Sequence, residues 1–283
     1  MITSINFADA SFRTQQKWNT RSAKLLGGID RVVEYGPQDI DSIFMEESQA
    51  HFEHSKKGFG GYFWKPYLLK KTFDELKEGD YLVYSDSGTV FVKNIKPLLN
   101  YMDAQGKSVF CFSLPLIEKQ FTKRDAFVLM DCDTEEYANK RQISANFFIL
   151  KKDAESTRFL NAYYEYSKDY RILTDAPNTQ GLPNYPEFLV HRHDQSIISL
   201  LSKKLNALVE GDVSDYAHFP TMYVHNPKYI YDKEALKPEN HKFKGYLLSN
   251  RKEHPLVWGF KYYVRLALSK LGINLKGSNP LNV

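Results

Sequence analysis

Residues 60–88 read GGYFWKPYLLKKTFDELKEGDYLVYSDSG. The stretch has three parts. Residues 60–67 bring together two glycines, aromatic rings, Lys65 and Pro66. Residues 68–76 place apolar side chains at helical spacing, with Lys and Glu between them. Residues 80–88 run from a buried-strand pattern, Tyr81-Leu82-Val83-Tyr84, straight into Ser85-Asp86-Ser87-Gly88. An acid placed where a β-run meets a glycine lies at the carboxyl edge of a sheet, which is where open α/β folds bind ligands. The stretch therefore predicts an α/β protein with Asp86 at its ligand edge and Lys65 just upstream.

The chain before this stretch supports the same class. Residues 2–8 alternate in the β manner and lead through Phe7, Ala8 and Asp9 to a helical stretch over 12–26, closed by Gly27-Gly28. Strand, polar turn and helix form the opening unit of a nucleotide-binding domain. Arg13 and Lys17 stand four apart on one helical face, either as diphosphate contacts or as a solvated basic face. A second strand is expected at residues 31–35, and a helical stretch after Pro37 to about residue 52. Residues 51–61 hold His54, Lys56, Lys57 and three glycines, and read as a loop over the site.

After it, a helix starts at Lys96-Pro97 and a buried strand covers residues 108–112. Arg124 beside Asp125 fits either sugar hydroxyls or a surface ion pair. Residues 143–150 read as one strand whose polar start, Ser144-Ala145-Asn146, leaves room for a close ligand. A helix over 152–170 and a Pro- and Asn-rich loop over 174–186 precede the run His191-Arg192-His193-Asp194-Gln195-Ser196. There Asp194 or Ser196 either caps a helix or belongs to a group of polar side chains converging at a helix start. His225 follows, in a Tyr223–Lys228 segment. Residues 256–271 mix aromatic and aliphatic side chains with Lys261, Arg265 and Lys270, a pattern that suits either packing on the domain or lying in a membrane interface.

The 283 residues suffice for one large α/β domain or two small ones, with 42% hydrophobic and 25% charged content typical of a globular protein. A net charge of +4 with both signs interspersed is no nucleic-acid footprint, and it suits a diphosphate or an anionic membrane surface. Cys111 and Cys132 make no disulfide framework and are expected as small buried hydrophobes. No signal peptide and no apolar run of membrane-spanning length is evident, so the expected compartment is cytoplasmic, with the inner face of the membrane as a peripheral location.

Tyr84-Ser85-Asp86-Ser87-Gly88 resembles the Asp-x-Asp signature of nucleotide-sugar glycosyltransferases of the GT-A fold, with Gly88 at the second acidic position. Trp64-Lys65-Pro66-Tyr67 resembles bacterial transferases of capsule and O-antigen synthesis. Asn146 and the Asp194-Gln195 pair are similar to positions of the retaining glycogenin and galactosyltransferase family. The resemblance implies a Rossmann-like GT-A α/β fold: a mixed, mostly parallel sheet flanked by helices, a catalytic domain over 1–250 and a C-terminal helical tail over 251–283. It implies transfer of a sugar, from a UDP-sugar, to a saccharide or lipid-linked saccharide acceptor, with retention. Catalytic candidates are Asp194, Gln195 and Asp86. Donor-binding candidates are Phe7, Ala8, Asp9, Arg13, Lys65, Tyr84, Ser85, Arg124, Asn146 and His193. Asp86 and His225 would hold Mn²⁺ or Mg²⁺, although hard divalent cations want several oxygen ligands and the second acid is missing. The competing readings are a non-catalytic carbohydrate- or nucleotide-binding module of the same fold and a metal-dependent hydrolase built on His191, His193, Asp194 and Asp86.

Overall fold

A computed structural model describes residues 1–55, 57–249 and 253–273. The expected domain boundary at 250 and 251, Lys56, and the end of the tail beyond 273 lie outside the described residues.

The strands are β1 (Ile2–Phe7), β2 (Arg31–Tyr35), β3 (Tyr81–Ser85), β4 (Thr89–Phe91), β5 (Val109–Ile117), β6 (Arg141–Ile143), β7 (Phe147–Lys151), β8 (Leu208–Gly211) and β9 (Leu247–Ser249). Seven of them form one sheet in the order β2-β1-β3-β7-β5-β6, with β8 also paired to β5. β1, β2, β3, β5 and β8 point one way, while β7 and β6 run against them. The sheet is thus mixed and mostly parallel. β4 and β9 pair separately.

Side chains alternate across the sheet with period two. Leu82, Tyr84, Phe148, Leu150 and Cys111 join one buried cluster, while Val83, Phe147, Ile149, Phe110 and Phe112 join another on the opposite face. Both faces are covered, which is why these strands read as continuous apolar runs. On the first face lie helices α2 (Trp64–Asp74), α4 (Ala154–Lys168) and α5 (Asp194–Lys204), anchored by Leu68, Leu69, Phe73, Leu160 and Ile197. The other face carries α3 (Lys96–Ala104), through Leu98, Leu99 and Met102. Helix α1 (Arg13–Ser22) follows β1, and α6 (Pro255–Lys270) is the C-terminal helix. Cys111 and Cys132 are free and buried, and burial raises both thiols, to about 12 and about 11.

The structure departs from the sequence expectations in three places. The helix expected from residue 68 begins at Trp64, so Lys65 sits in its buried first turn. The strand expected over 143–150 is two strands broken at Ser144-Ala145-Asn146, because that segment turns at the sheet edge. Residues 51–54 are helical rather than part of a loop: Gln49–His54 is a short helix and the His51 ring is buried, its Nε2 hydrogen-bonded to the Ser167 carbonyl at 2.9 Å.

Candidate active site

The parallel strands end together, and the polar turns that follow them build one edge. Asp86 follows β3 directly. Its amide donates to the Asn146 carbonyl at 2.8 Å, and its own carbonyl accepts from Thr89 at 2.9 Å. The break between β6 and β7 therefore brings Asn146 beside Asp86. Tyr84, one turn of the pleat earlier, donates its phenol to Asp86 Oδ1 at 2.7 Å. Burial, and then Asp86, push that phenol well above its ordinary pKa.

Lys65 reaches this edge from α2. Ahead of it, residues 58–62 all have positive φ, including the non-glycine Phe59 and Tyr62. L-residues rarely adopt such a left-handed turn, and glycine at three of the five positions lowers its cost. The turn leads straight into α2. Trp64 stacks on Phe7 with ring centroids 3.9 Å apart and donates its indole N–H to the Gly58 carbonyl at 2.9 Å. With Trp64 fixed, Lys65 Nζ enters the sheet edge, contacts Asp194 Oδ2, lies 3.8 Å from Asp86 Oδ1 and donates to the Ala145 carbonyl at 3.2 Å. It also stands 4.5 Å from the centre of the Tyr84 ring, a cation–π distance.

Asp194 is the first residue of α5. The residue before it, His193, has φ 50°, a strained conformation for a residue with a side chain. His193 Nδ1 is hydrogen-bonded to the Leu173 carbonyl at 3.1 Å, and His191 Nε2 to the Ile172 carbonyl at 2.9 Å. His191 Nδ1 accepts the Lys123 amide at 3.2 Å, so its ring is neutral with the proton on Nε2. Burial first, then the neighbouring His193 and Lys123, hold its pKa well below the usual imidazole range. The two histidines thus brace the start of α5. Gln195 donates to Gln142 Oε1 at 2.8 Å.

Lys65 is held charged. Burial disfavours its ammonium, but Asp194 and then Asp86 outweigh burial and raise its pKa. Asp194 is raised too, by burial first, against the pull of Lys65 and with a further push from Asp86. One ammonium is therefore shared by two carboxylates. The expected metal pair, Asp86 and His225, lines the same cavity. Among the described residues no three His, Cys, Asp or Glu side chains gather, and the Lys65 ammonium already bridges Asp86 and Asp194. This donor set does not suit a divalent cation.

The cleft has two lobes. One, of about 580 Å³, is lined by Tyr62, Lys65, Asp194, His193 and His225 among others. The second, of about 450 Å³, is lined by Gly88, Ser144, Ser249 and Trp258 among others. Asp86, Asn146, Gln195, Tyr216 and Tyr223 line both.

The other expected positions line neither lobe of the cleft. Ser85 is buried and accepts from Asn19 Nδ2 at 2.9 Å. The Phe7 carbonyl accepts from Ser87 Oγ at 2.6 Å, the Ala8 amide donates to the Tyr35 carbonyl at 3.0 Å, and Asp9 caps the short turn Ala10–Phe12. Arg13 donates to Gln16 at 2.7 Å. Arg124 pairs with Asp133 at 2.8 Å, lies 4.2 Å over the Tyr185 ring and lines neither lobe.

One group escapes the sequence reading. Gln16 donates to Asn6 at 2.9 Å and to the Tyr35 carbonyl at 2.8 Å. Asn6 donates to Asn19 at 2.7 Å, and Asn19 donates to the Thr89 carbonyl at 2.9 Å. This buried amide chain ties the ends of β1 and β2 to the turn holding Asp86. The signal is the buried face of α1: Gln16, Asn19 and Ser22, three apart, where an ordinary helix would be apolar. Tyr216 and Tyr223 carry no sequence signal either, since each sits in a 3-10 turn, Asp215–Ala217 or Pro220–Tyr223, too short to show periodicity.

A mixed, mostly parallel sheet with helices on both faces and a cleft at its carboxyl edge is a fold of the GT-A type. Two solved structures of the galactosyltransferase LgtC share it. One is a complex with donor and acceptor sugar analogs, at TM-score 0.51 and 10% identity. The other is an active-site glutamine-to-glutamate mutant, at TM-score 0.52 and 11% identity. Both alignments cover 94% of this chain and 95% of LgtC. Mouse xyloside xylosyltransferase 1 aligns over 90% of this chain and 99% of its own, at TM-score 0.49 and 10% identity. No family model and no curated protein matches the sequence.

Proposed function

We propose that the protein is a glycosyltransferase, a hexosyltransferase that moves a sugar from a UDP-sugar to a saccharide acceptor in surface polysaccharide or glycan synthesis, with retention of configuration. The observation that carries this is the meeting of Lys65, Asp86, Asp194 and Gln195, from three separate elements, in one cleft at the carboxyl edge of the sheet. The likeness to LgtC supports it: that fold has been seen with donor and acceptor sugar analogs, and LgtC has an active-site glutamine, a counterpart in kind to Gln195.

Each group has a physical task in this reading. Phe7, Ala8, Asp9 and Arg13, at the end of β1 and the start of α1, would in this reading contact the uridine and its phosphates. In the transfer, the bond between the anomeric carbon and the β-phosphate oxygen breaks, and its electron pair leaves with UDP. The acceptor hydroxyl oxygen forms the new bond on the same face, and its proton passes to the departing phosphate. Positive charge developing at the anomeric carbon is met by Asp194, with Gln195 orienting the sugar. Negative charge developing on the phosphate is met by a preorganised cation in a water-poor site, the role that stabilises transition states most. In this reading Lys65 supplies that cation.

A thermal-shift panel tests the reading. UDP and UDP-sugars are expected to raise the melting temperature by mass action, and a matching UDP-sugar with a saccharide acceptor should release UDP. A panel in which no nucleoside diphosphate and no nucleotide sugar shifts the transition would refute it.

A further inference from the structure

The face opposite the cleft side of α6 is apolar and uncovered. Leu256 and Phe260 of α6 are 63% and 71% exposed, and Tyr263 is exposed beside them. Leu25, 70% exposed, and Leu26 project from the single wide turn Ala23–Gly27 that ends α1. These side chains flank a groove of about 370 Å³ whose other walls include Val90, Phe91 and Leu248. The two halves are fastened together where Trp18 of α1 meets His254, the cap of α6, with rings 5.3 Å apart edge to face. Apolar patches of this kind on a folded chain mark a contact surface.

Charge identifies the occupant. Residues 10–29 contain Arg13, Lys17, Arg21 and Lys24 and no acid, and residues 255–270 contain Lys261, Arg265 and Lys270 and no acid. Arg21 lines the groove, and Lys17, Lys24 and Lys270 are exposed. Lys261 is paired with Glu253 at 2.7 Å, and Arg265 is held against Met222. An apolar strip within a rim of cations matches an anionic bilayer surface, where the apolar side chains enter the headgroup boundary and the cations meet phosphate. A second copy of the chain would instead bring the same cations against these. Among the described residues no helix is long and apolar enough to cross a membrane.

We propose that the end of α1 and the outer side of α6 form one docking surface for an anionic lipid membrane. The other side of α6 gives this a use. Trp258 lines the second lobe of the cleft, with its indole N–H donated to Asp215 at 3.1 Å. A bilayer against Leu256 and Phe260 would bring that lobe to the level of the headgroups, where a lipid-linked saccharide would present its sugar. This last consequence rests on the transferase reading; the docking does not.

The test is co-sedimentation of the full chain with phosphatidylcholine vesicles, with and without phosphatidylglycerol. The protein is expected to pellet with the anionic vesicles and to be released by salt. Leu25→Asp combined with Phe260→Asp, both at exposed positions, is expected to lower the partition coefficient by about tenfold or more without moving the melting temperature. Arg21→Glu with Lys24→Glu should weaken binding to the anionic vesicles alone. Wild-type protein left in the supernatant with anionic vesicles, or a Leu25→Asp/Phe260→Asp variant that pellets like wild type, would overturn the proposal. So would a wild-type dimer that this variant dissolves, since the face would then belong to a second copy. The thermal shift with UDP should survive in the variant, so a failure of docking and a failure of the transferase reading are told apart.

Discussion

Replacing Lys65 by methionine keeps the side-chain stem and removes the charge that two carboxylates share. The side chains of Lys65 and Asp194 are only 4% and 6% exposed, so water cannot take over from the lost ammonium. Breaking a buried pair from one side costs about 3–5 kcal/mol, because the other charge is left uncompensated. For 283 residues, at about 2.1 cal/mol/K of unfolding entropy per residue, that corresponds to a fall in melting temperature of about 5–8 °C. The deficit must depend on pH. Asp194 already has a folded pKa above its ordinary 3.8, and losing Lys65 raises it further. A carboxylate with a raised folded pKa costs nothing below the unfolded value; the cost grows as pH climbs from there to the folded value. The gap between variant and wild type should therefore be widest near about pH 7.5 and shrink near about pH 4.5. The Lys65→Met/Asp194→Asn double variant, which removes the more deeply buried of the two carboxylate charges along with the ammonium, should recover part of the loss, a coupling that a double-mutant cycle measures. Scanning fluorimetry at the two pH values is the assay. A Lys65→Met protein that melts with wild type at the higher pH, or whose deficit is the same at both, would show that the ammonium does not neutralise Asp194.

Asp194→Asn and Asp86→Ala should each abolish UDP release while far-UV circular dichroism is retained, and turnover at the wild-type rate in either would remove that residue from the mechanism. Because the Lys65 ammonium bridges the two carboxylates, EDTA is expected to leave turnover unchanged; loss of activity restored by Mn²⁺ would reverse that assignment. Asp215 has its pKa raised to about 7 by burial, with Asp212 adding to it, so its cost to stability is absent below about pH 4 and reaches about 4 kcal/mol above pH 7. Asp215→Asn should accordingly gain stability relative to wild type as pH rises from about 4 to 7, and urea titrations giving parallel curves would contradict this. Gly61, at φ +70, should lose about 1–2 kcal/mol as alanine, through backbone strain alone, since an added Cβ there meets nothing closer than 3.6 Å; an unchanged denaturation midpoint would count against the left-handed turn.

The sequence showed the site's anchors where chemistry and periodicity coincide. Tyr81-Leu82-Val83-Tyr84 is apolar on both faces and runs into an acid, a pattern that by itself puts Asp86 at a sheet edge. The GT-A fold class followed from the same stretch and its resemblance. The partners of that acid were harder to see. Helical spacing of apolar side chains is visible only from Leu68, which leaves Lys65 ahead of the expected helix. In fact Pro66 stands in the first turn of α2, where a missing N–H costs nothing. The ion pairs from Lys65 to Asp86 and Asp194 join residues 21 and 129 positions apart, and no local pattern encodes them.

The amide chain through Asn6, Gln16 and Asn19 shows why local reading misses such a support. Each side chain, taken singly, is an ordinary polar residue on a strand or helix, and hydrophobic periodicity treats it as solvent-facing. Its meaning appears only once β1, β2 and β3 are paired, because the carbonyls it satisfies belong to Tyr35 and Thr89. Buried polar groups are tolerated only when hydrogen-bonded, so a face of α1 that buries Gln16, Asn19 and Ser22 in place of aliphatics requires fixed partners across the sheet edge. That requirement holds the Asp86 turn in one geometry. Asp86 then stands 3.8 Å from the Lys65 ammonium, and Lys65 in turn is positioned by the stack of Trp64 on Phe7 at the end of β1. The polar helix face and the aromatic stack thus secure the two sides of one ion cluster, and a lone acid can serve at this edge because the structure supplies its countercharge from within.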